Sequence, residues 1–469
     1  MSVDKPNILF FFTDDQRFDT IRALGNQEIH TPNLDALVES GTTYTHAHIP
    51  GGTSQAVCMP SRAMLATGRT LFHIEREGQS IPEHHTTLGQ CLRQAGYDTF
   101  GTGKWHNGGY SFGRSFSAGD EIFFYGMWDH WNVPTYHFDP SGQYRATSPF
   151  IRNFMLSNTT EYLACDHIQP GKHSTDLFTD TGIEYLKQYN LKQPFFMYVS
   201  LMAPHDPRSM PQRFQEMYDP EDISLPANFQ SEHLIDTGDL KVRDELLAAY
   251  PRQPDEIRKH IAEYYAMISH LDDALGRILN VMADRHLLDN TIIVFSADNG
   301  LAIGQHGLMG KQSLYDHSVR VPLILSGLGI PKGERREALT YLLDIFPTLC
   351  DLTGVTIPES VEGVSLAPNI RDATQPTREN LYLAYRGSIR GVTDGNFKLI
   401  EYYADGNPNN GRATQLFNLK DDPLELKNLA SDSAHKDRLN QMRAQMAKFR
   451  DEWGDCQHPL GETFWKGVS

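Results

Sequence analysis

Residues Asn7–Thr13 read NILFFFT, an unbroken apolar run closed by a threonine. The run lacks the alternation of a strand with one wet face, and it falls far short of the roughly 20 apolar residues needed to cross a bilayer. It therefore reads as a strand buried on both faces, the kind found in a parallel sheet covered by helices. Runs of the same type recur at Tyr97–Gly101, Pro194–Ser200 (PFFMYVS), Thr291–Ser296 (TIIVFS) and Val321–Ser326. Helical patterns lie between them, at Asn33–Ser40 after a Thr-Pro start, Thr87–Ala95, Leu177–Gln188 and His260–Ala283. This alternation predicts an α/β fold: a large mixed, mostly parallel sheet flanked by helices.

Between Trp105 and Lys172 the periodicity gives way to Gly, Asn, Ser and aromatic residues, which predicts a long irregular insertion, near 105–175, rather than a regular element. Tyr110, Trp128, Trp131, Tyr136 and Tyr144 argue that it is ordered. After Leu366 the polar stretch APNIRDATQPTREN reads as a linker. Hairpin-like strands follow at Asn380–Tyr385, Ser388–Val392 and Phe397–Tyr403, with a terminal helix near Ala434–Arg450. The expected division is a catalytic α/β domain over 1–370 and a smaller α+β subdomain over 371–469 carrying a short antiparallel sheet.

The 469 residues are enough for such an arrangement, and 39% hydrophobic residues with 22% charged ones give a globular profile. A mean hydropathy of −0.45 excludes an integral membrane protein on composition. Lys and Arg number 42 against 59 Asp and Glu, a formal net charge of −17 at pH 7. Bulk charge therefore repels nucleic acid and anionic membrane surfaces, and an anionic substrate must be held by a local cluster of positive groups. The cysteines Cys58, Cys91, Cys165, Cys350 and Cys456 are odd in number and form no C-x-x-C pair, against a disulfide framework or a cysteine-rich zinc site. The start, Met1 to Pro6, leads straight into the first strand without the apolar core of a signal peptide. The chain is thus expected to be cytoplasmic if native as it stands, or periplasmic or secreted if a signal peptide was trimmed. Composition leaves oligomeric state open.

In an open parallel sheet, ligands bind beyond the carboxyl ends of the strands. Here NILFFFT is followed by Asp14 and Asp15, the second strand by Lys104 and His106, PFFMYVS by His205, and TIIVFS by Asp298 and Asn299. Taken singly, an Asp or Asn after a strand is also a common turn or cap residue; the repetition at equivalent positions points to a site. Asp14, Asp15, Asp298 and Asn299 offer hard oxygen ligands, which suit Ca²⁺ or Mg²⁺ and not zinc, with calcium expected. The histidines are then free for proton transfer, with Lys104 as a fixed charge beside them. Cys58 falls at a helix N-terminus, ahead of Pro60 and a helix closed by Gly68, where the dipole favours an anion. Helix logic alone leaves it as either an active group or a small buried cysteine.

Cys58-Met59-Pro60-Ser61-Arg62 with Thr67-Gly68-Arg69 resembles the type I sulfatase signature C-x-P-S-R-x-x-x-x-T-G-R, of the alkaline phosphatase superfamily. The opening Asp-Asp, Thr31–Asp35, Gly103–His106, Pro204–Pro207, Ser296–Gly300 and Gly310-Lys311 before Ser318–Pro322 resemble the family in order, and Leu416–Leu419, Asp422-Pro423, Glu425 and Asn428-Leu429 resemble its C-terminal subdomain. The resemblance implies that Cys58 is converted to formylglycine by a maturation enzyme, and that its gem-diol attacks sulfur to give a sulfo-enzyme intermediate. It implies Ca²⁺ held by Asp14, Asp15, Asp298, Asn299 and position 58. It also implies that Arg62 orients the gem-diol, Lys104 and Lys311 bind sulfate oxygens, His205 protonates the leaving oxygen and His106 takes the proton that releases sulfate. Those cations meet the charge requirement set above.

The substrate is read from the insertion and the loops. Arg114, Trp128, His130, Trp131 and His173 combine ring platforms with polar tips, a chemistry that suits a sulfated sugar, and His306 in Gly304–Gly307 could join them or serve as a satisfied loop histidine. Gly126–Tyr136 (GMWDHWNVPTY) resembles segments of bacterial carbohydrate sulfatases, including those acting on marine algal polymers such as ulvan. The expected function is hydrolysis of a sulfate ester of an oligo- or polysaccharide. The rivals are an arylsulfatase, a phosphonate or phosphate monoester hydrolase of the same superfamily, a thiol enzyme using unmodified Cys58, and a non-catalytic glycan-binding pseudo-sulfatase.

Overall fold

The computed structural model of the protein describes residues 5–153, 155–190, 192–403 and 411–468; the reading of the chain's start falls on residues 1–4, outside the described residues. The strands that matter here are β1 (Asn7–Thr13), β2 (Gly41–Tyr44), β3 (Gly51–Gly52), β4 (Asp98–Lys104), β5 (Ala118–Phe123), β6 (Phe195–Ser200), β7 (Thr291–Ala297), β8 (Leu323–Gly327), β9 (Glu334–Arg336), β10 (Leu381–Tyr385), β11 (Ile389–Thr393), β12 (Phe397–Tyr403) and β13 (Arg412–Asn418). The principal helices are α1 (Pro32–Ser40), α2 (Cys58–Thr67), α3 (Leu88–Gln94), α4 (Gly109–Ser115), α5 (Ser174–Gln188), α6 (Pro254–Asp284), α7 (Ile345–Thr353), α8 (Lys436–Glu452) and α9 (Pro459–Val468).

An eight-stranded sheet runs in the order β9-β2-β8-β7-β1-β6-β4-β5. From β7 to β5 every pairing is parallel, whereas β8 runs against both β7 and β2. The sheet is mixed and mostly parallel, as the alternation of elements predicts. All of β1 is buried, and its side chains divide by strict alternation. Ile8, Phe10 and Phe12 belong to the core on one face, with α2, α3 and α7; Leu9 and Phe11 belong to the core on the other, with α5 and α6. Each such buried side chain contributes roughly 1.5–3 kcal/mol, so a central strand with no polar interior position needs helices on both sides.

The expected linker and insertion are both more structured than their composition suggests. Asn369 and Ile370, within the expected linker, sit buried in a short helix, Ala367–Arg371. Within 105–175 the chain forms α4 and then β5, which pairs with β4 as an edge strand of the main sheet. Glycine and serine in α4 carry weak helix propensity, and packing of Phe112 against Trp105 and Phe116 supplies what propensity lacks.

The C-terminal sheet has five strands in the order β13-β12-β11-β10-β3. It is antiparallel except for β3, which comes from the N-terminal half and pairs in parallel with β10. A Cβ on Gly51 would lie 2.1 Å from the Ala384 carbonyl oxygen, so this join demands glycine. The lobe is closed by Asp455, fully buried, which accepts hydrogen bonds from Tyr382 Oη (2.6 Å), Arg390 Nε and NH2 (2.7 and 2.8 Å) and Trp465 Nε1 (2.8 Å). Replacing Asp455 by Ala strands the buried Arg390 charge. The expected cost is about 3–5 kcal/mol, measured by urea unfolding; a loss under about 1 kcal/mol would mean that water reaches the pair.

Among the described residues no disulfide forms. Cys91 on α3 and Cys350 on α7 are buried neighbours with sulfurs 4.0 Å apart, Cys58 and Cys165 are buried, and Cys456 is exposed.

Candidate active site

Four neighbouring parallel strands, β7, β1, β6 and β4, deliver their carboxyl ends to one edge of the sheet. Asp14 and Asp15 follow β1, Asp298 and Asn299 follow β7, Ser200 closes β6 a few residues before His205, and Lys104 ends β4 just ahead of His106. A Cβ at Gly103 would stand 1.9 Å from the Ser200 carbonyl oxygen, so glycine lets β4 approach β6 immediately before Lys104. Asp15 and His106 both have left-handed backbones, φ 63° and 72°. Such non-glycine conformations concentrate at functional sites, where the surrounding structure must hold them. For Asp15 the holding group is buried Tyr264 of α6, which donates to the Asp15 carbonyl oxygen (2.6 Å) and accepts from Arg17 N–H (2.9 Å).

Cys58 opens α2, and the helix ends in Gly68, in the left-handed region. Ser61 Oγ, one turn on, donates to the Asp298 carbonyl oxygen (2.6 Å), tying α2 to β7. Arg62 is buried under the site; its Nε donates to Asp298 Oδ2 (2.8 Å), and its NH1 to Ser200 Oγ (2.7 Å) and the Lys104 carbonyl (2.9 Å). Lys104 Nζ bonds Asp14 and lies 3.7 Å from Cys58 Sγ, while Lys311 Nζ bonds Asp15 Oδ1 at 2.5 Å. His106 Nδ1 is 3.5 Å from Cys58 Sγ, and His205 Nε2 is 3.7 Å from Asp15 Oδ2. Cys58, His106, His205 and Lys311 together line a cleft of about 190 Å³, with Gln55, Met127, Arg243, Asp244 and Gln312 completing the wall.

The electrostatics are those of clustered carboxylates among fixed cations. Burial and the neighbouring Asp14 carboxylate push Asp298 up to about 6, against the pull of Arg62. Burial also raises Asp14, but Lys104 and Arg62 outweigh it and hold that carboxyl well below the usual range. Burial pushes the Cys58 thiol up to about 11 in spite of Lys104 and Lys311. Burial, then Lys104 and Arg62, hold His106 well below its ordinary value, leaving it a neutral imidazole.

Asp14 Oδ1 and Asn299 Oδ1 are buried oxygens with no hydrogen-bond partner among the described residues. Ligand atoms of Asp14, Cys58 and Asp298 lie within 4.8 Å of one another, and so do those of Asp14, Asp15 and His205. Orphaned oxygen acceptors beside three carboxylates fit a hard divalent cation, which would supply the acceptors with a partner and offset the mutual repulsion.

The sulfatase family profile matches residues 6–355. The chain belongs to the sulfatase family. A second profile, N-sulphoglucosamine sulphohydrolase, C-terminal, matches 304–452. The sulfatase is 25% identical to an N-acetylglucosamine-6-O-sulfatase of Bacteroides thetaiotaomicron, over 98% of this chain and 88% of that one. It is 27% identical to an ulvan-active sulfatase of Formosa agariphila, over 96% and 82%. Its fold superposes with a TM-score of 0.74 on a protein solved in complex with its substrate D-glucosamine-2-N,6-O-disulfate, at 22% identity, covering 97% of this chain and 99% of the other. The enzyme is a sulfuric ester hydrolase.

Of the residues proposed for substrate contact outside the cleft, several take other places. Arg114 donates to the carbonyls of Ile81, Pro82, Glu83 and His85 and to Gln90, so its donors hold a loop onto α4. His130 sits behind His205, its Nε2 2.9 Å from the His205 carbonyl oxygen, and stacks on His173 with ring centroids 5.0 Å apart. His173 caps α5, its Nδ1 accepting from Thr175 N–H. Trp131 meets the His173 ring edge-on, and Trp128 packs beside Tyr125. His306 stacks on Tyr315 at 4.0 Å and lies 3.2 Å from Asn228 Nδ2, turned toward the C-terminal lobe. Conversely, the sequence reading missed Gln55, three residues before Cys58, Gln312, next to Lys311, and Arg243 and Asp244, from a stretch in which it singled out no residue. Asp206, the neighbour of His205 in Pro204–Pro207, carries a signal in hindsight: its carboxylate grips Arg243 and lies 3.3 Å from His205 Nδ1.

Proposed function

We propose that this sulfatase hydrolyses a sulfate ester of a sulfated oligo- or polysaccharide, with Cys58 converted to formylglycine by a maturation enzyme and Ca²⁺ held by Asp14, Asp15, Asp298, Asn299 and position 58. The observation that carries the reading is the convergence of Cys58, His106, His205 and Lys311 on one small cleft, with Lys104 buried 3.7 Å from Cys58 Sγ, above a cluster of buried carboxylates. Burial raises the Cys58 thiol, which speaks against a thiolate nucleophile. When present, the cation polarises the S–O bonds and the hydrated aldehyde supplies the attacking oxygen.

The chain's own residues do the rest. Lys104 and Lys311 hold sulfate oxygens and offset the charge that spreads over them in the transition state. His205 Nδ1 lies 2.8 Å from the Asp206 carbonyl oxygen, which can only accept, so Nδ1 carries a proton. A second proton, on Nε2, is the one available to the leaving sugar oxygen, a poor leaving group as an alkoxide. Neutral His106 beside position 58 takes a proton from that position. Arg62, buried between Asp14 and Asp298, orients these groups from below.

The carbohydrate class is supported by a cleft whose rim offers amide, guanidinium and carboxylate groups, and by relatives named for N-acetylglucosamine-6-sulfate and ulvan. An algal polymer such as ulvan falls within this class. The test is sulfate release from a panel of defined sulfated oligosaccharides beside aryl sulfate and aryl phosphate. Turnover of at least one saccharide well above the aryl esters is expected; turnover of aryl esters alone would defeat the carbohydrate reading.

A further inference from the structure

We propose that the basin between α9 and the C-terminal sheet is a second sugar-binding site, holding the glycan unit next to the one that carries the scissile sulfate; this rests on the carbohydrate reading above. The cleft ends against Gln55, whose Nε2 donates to Asp239 Oδ1 at 3.2 Å. The same oxygen accepts from Arg386 NH1, also at 3.2 Å. On the far side of that pair, Asp239 and Arg386 form a wall of a basin of about 620 Å³, which Thr237, Ser388, Tyr403 and Thr463 also line. One layer of side chains, Gln55–Asp239–Arg386, thus separates the catalytic cleft from a larger open space.

Size and chemistry both favour a sugar ring there. The catalytic cleft, about 190 Å³, falls below the roughly 300–1,000 Å³ of a typical small-molecule site, whereas the basin falls inside that range. A longer glycan seated by its sulfate must therefore leave the cleft, and the basin lies beyond the Gln55 side of it. Its wall combines three hydroxyl side chains with a carboxylate–guanidinium pair and one aromatic residue, groups that make directional bonds to sugar hydroxyls and a platform for a ring face. Arg386 keeps 40% of its side chain exposed and can reach a carboxylate or second sulfate on the same unit.

Two substitutions test the site from opposite sides. Arg386→Ala removes the guanidinium from the basin's wall, and Thr463→Trp, at an exposed position of α9, fills the basin while sparing the core. For each, kcat/KM is measured on a sulfated tetrasaccharide, on the sulfated monosaccharide and on 4-nitrophenyl sulfate. The wild type is expected to prefer the tetrasaccharide to the monosaccharide by about tenfold or more, and each variant to lose about tenfold of that preference, chiefly through KM. Sugar turnover with no preference for the longer chain, or with a preference that both variants retain, overturns the second site alone. A wild type that releases sulfate from 4-nitrophenyl sulfate and from no sugar overturns the carbohydrate reading, and this proposal with it.

Discussion

Cys58→Ala is expected to lower kcat/KM for sulfate release by on the order of 10⁴-fold or more, a loss of at least about 5 kcal/mol of transition-state stabilisation. Among the described residues the polar contacts of its sulfur are Lys104 Nζ at 3.7 Å and His106 Nδ1 at 3.5 Å, both groups of the site itself. The variant should therefore unfold at close to the wild-type urea midpoint, so that the loss reads as chemistry. The same experiment separates a converted from an unconverted cysteine. Mass spectrometry of the wild-type peptide containing position 58 should show the loss of the thiol, and activity should scale with the converted fraction. Full activity from protein whose Cys58 is still a thiol would refute the nucleophile assigned here, because burial keeps that thiol protonated at neutral pH.

The second large effect is expected from His205→Ala, and it should depend on the leaving group. A positioned general acid contributes about 10²–10⁴-fold, and that contribution matters most where the departing oxygen is a sugar alkoxide. Turnover of a sulfated saccharide should fall by about that factor, while 4-nitrophenyl sulfate, whose phenolate leaves without help, should fall far less. Equal losses on both substrates would mean that His205 binds sulfate or orders Asp15, from which its Nε2 is 3.7 Å away, rather than donating a proton. Asp206 holds the ring through its carbonyl and carboxylate oxygens, and the ring is buried, so the Ala variant leaves a cavity; unfolding midpoints guard against reading instability as catalysis.

Much of this site is local in the chain. The pairs Asp14-Asp15 and Asp298-Asn299 directly follow strands that are fully buried, and a fully buried strand is recognisable from its apolar run alone. Lys104 and His106 follow from the same logic, whereas Cys58, open on helix logic alone, is singled out by the resemblance of Cys58–Arg69 to the sulfatase signature. Elsewhere residue type without position left the role of a side chain open. Arg114 and His306 have chemistry that suits a substrate, yet one spends its donors on backbone carbonyls and the other stacks on Tyr315, and nothing in either sequence neighbourhood distinguishes a side chain facing a ligand from one facing its own backbone. The irregular composition of 105–175 likewise hid α4 and β5, since their stability comes from Phe112, Trp105 and the edge of β4 rather than from propensity.

By itself the amino-acid sequence determined the α/β class, the central all-buried strand and the strand-end residues, because each depends on side-chain periodicity within a single element or on the residues next to it. The tertiary structure alone decided how those pieces answer the net charge of −17. Lys104 meets Asp14 across 90 residues of chain, Lys311 meets Asp15 across 296, and Arg62 meets Asp298 across 236. It alone brought Gln55 and Arg386 onto one oxygen of Asp239. Coulomb and hydrogen-bond energies depend on separation in space, and separation in space is set by how strands stack in a sheet.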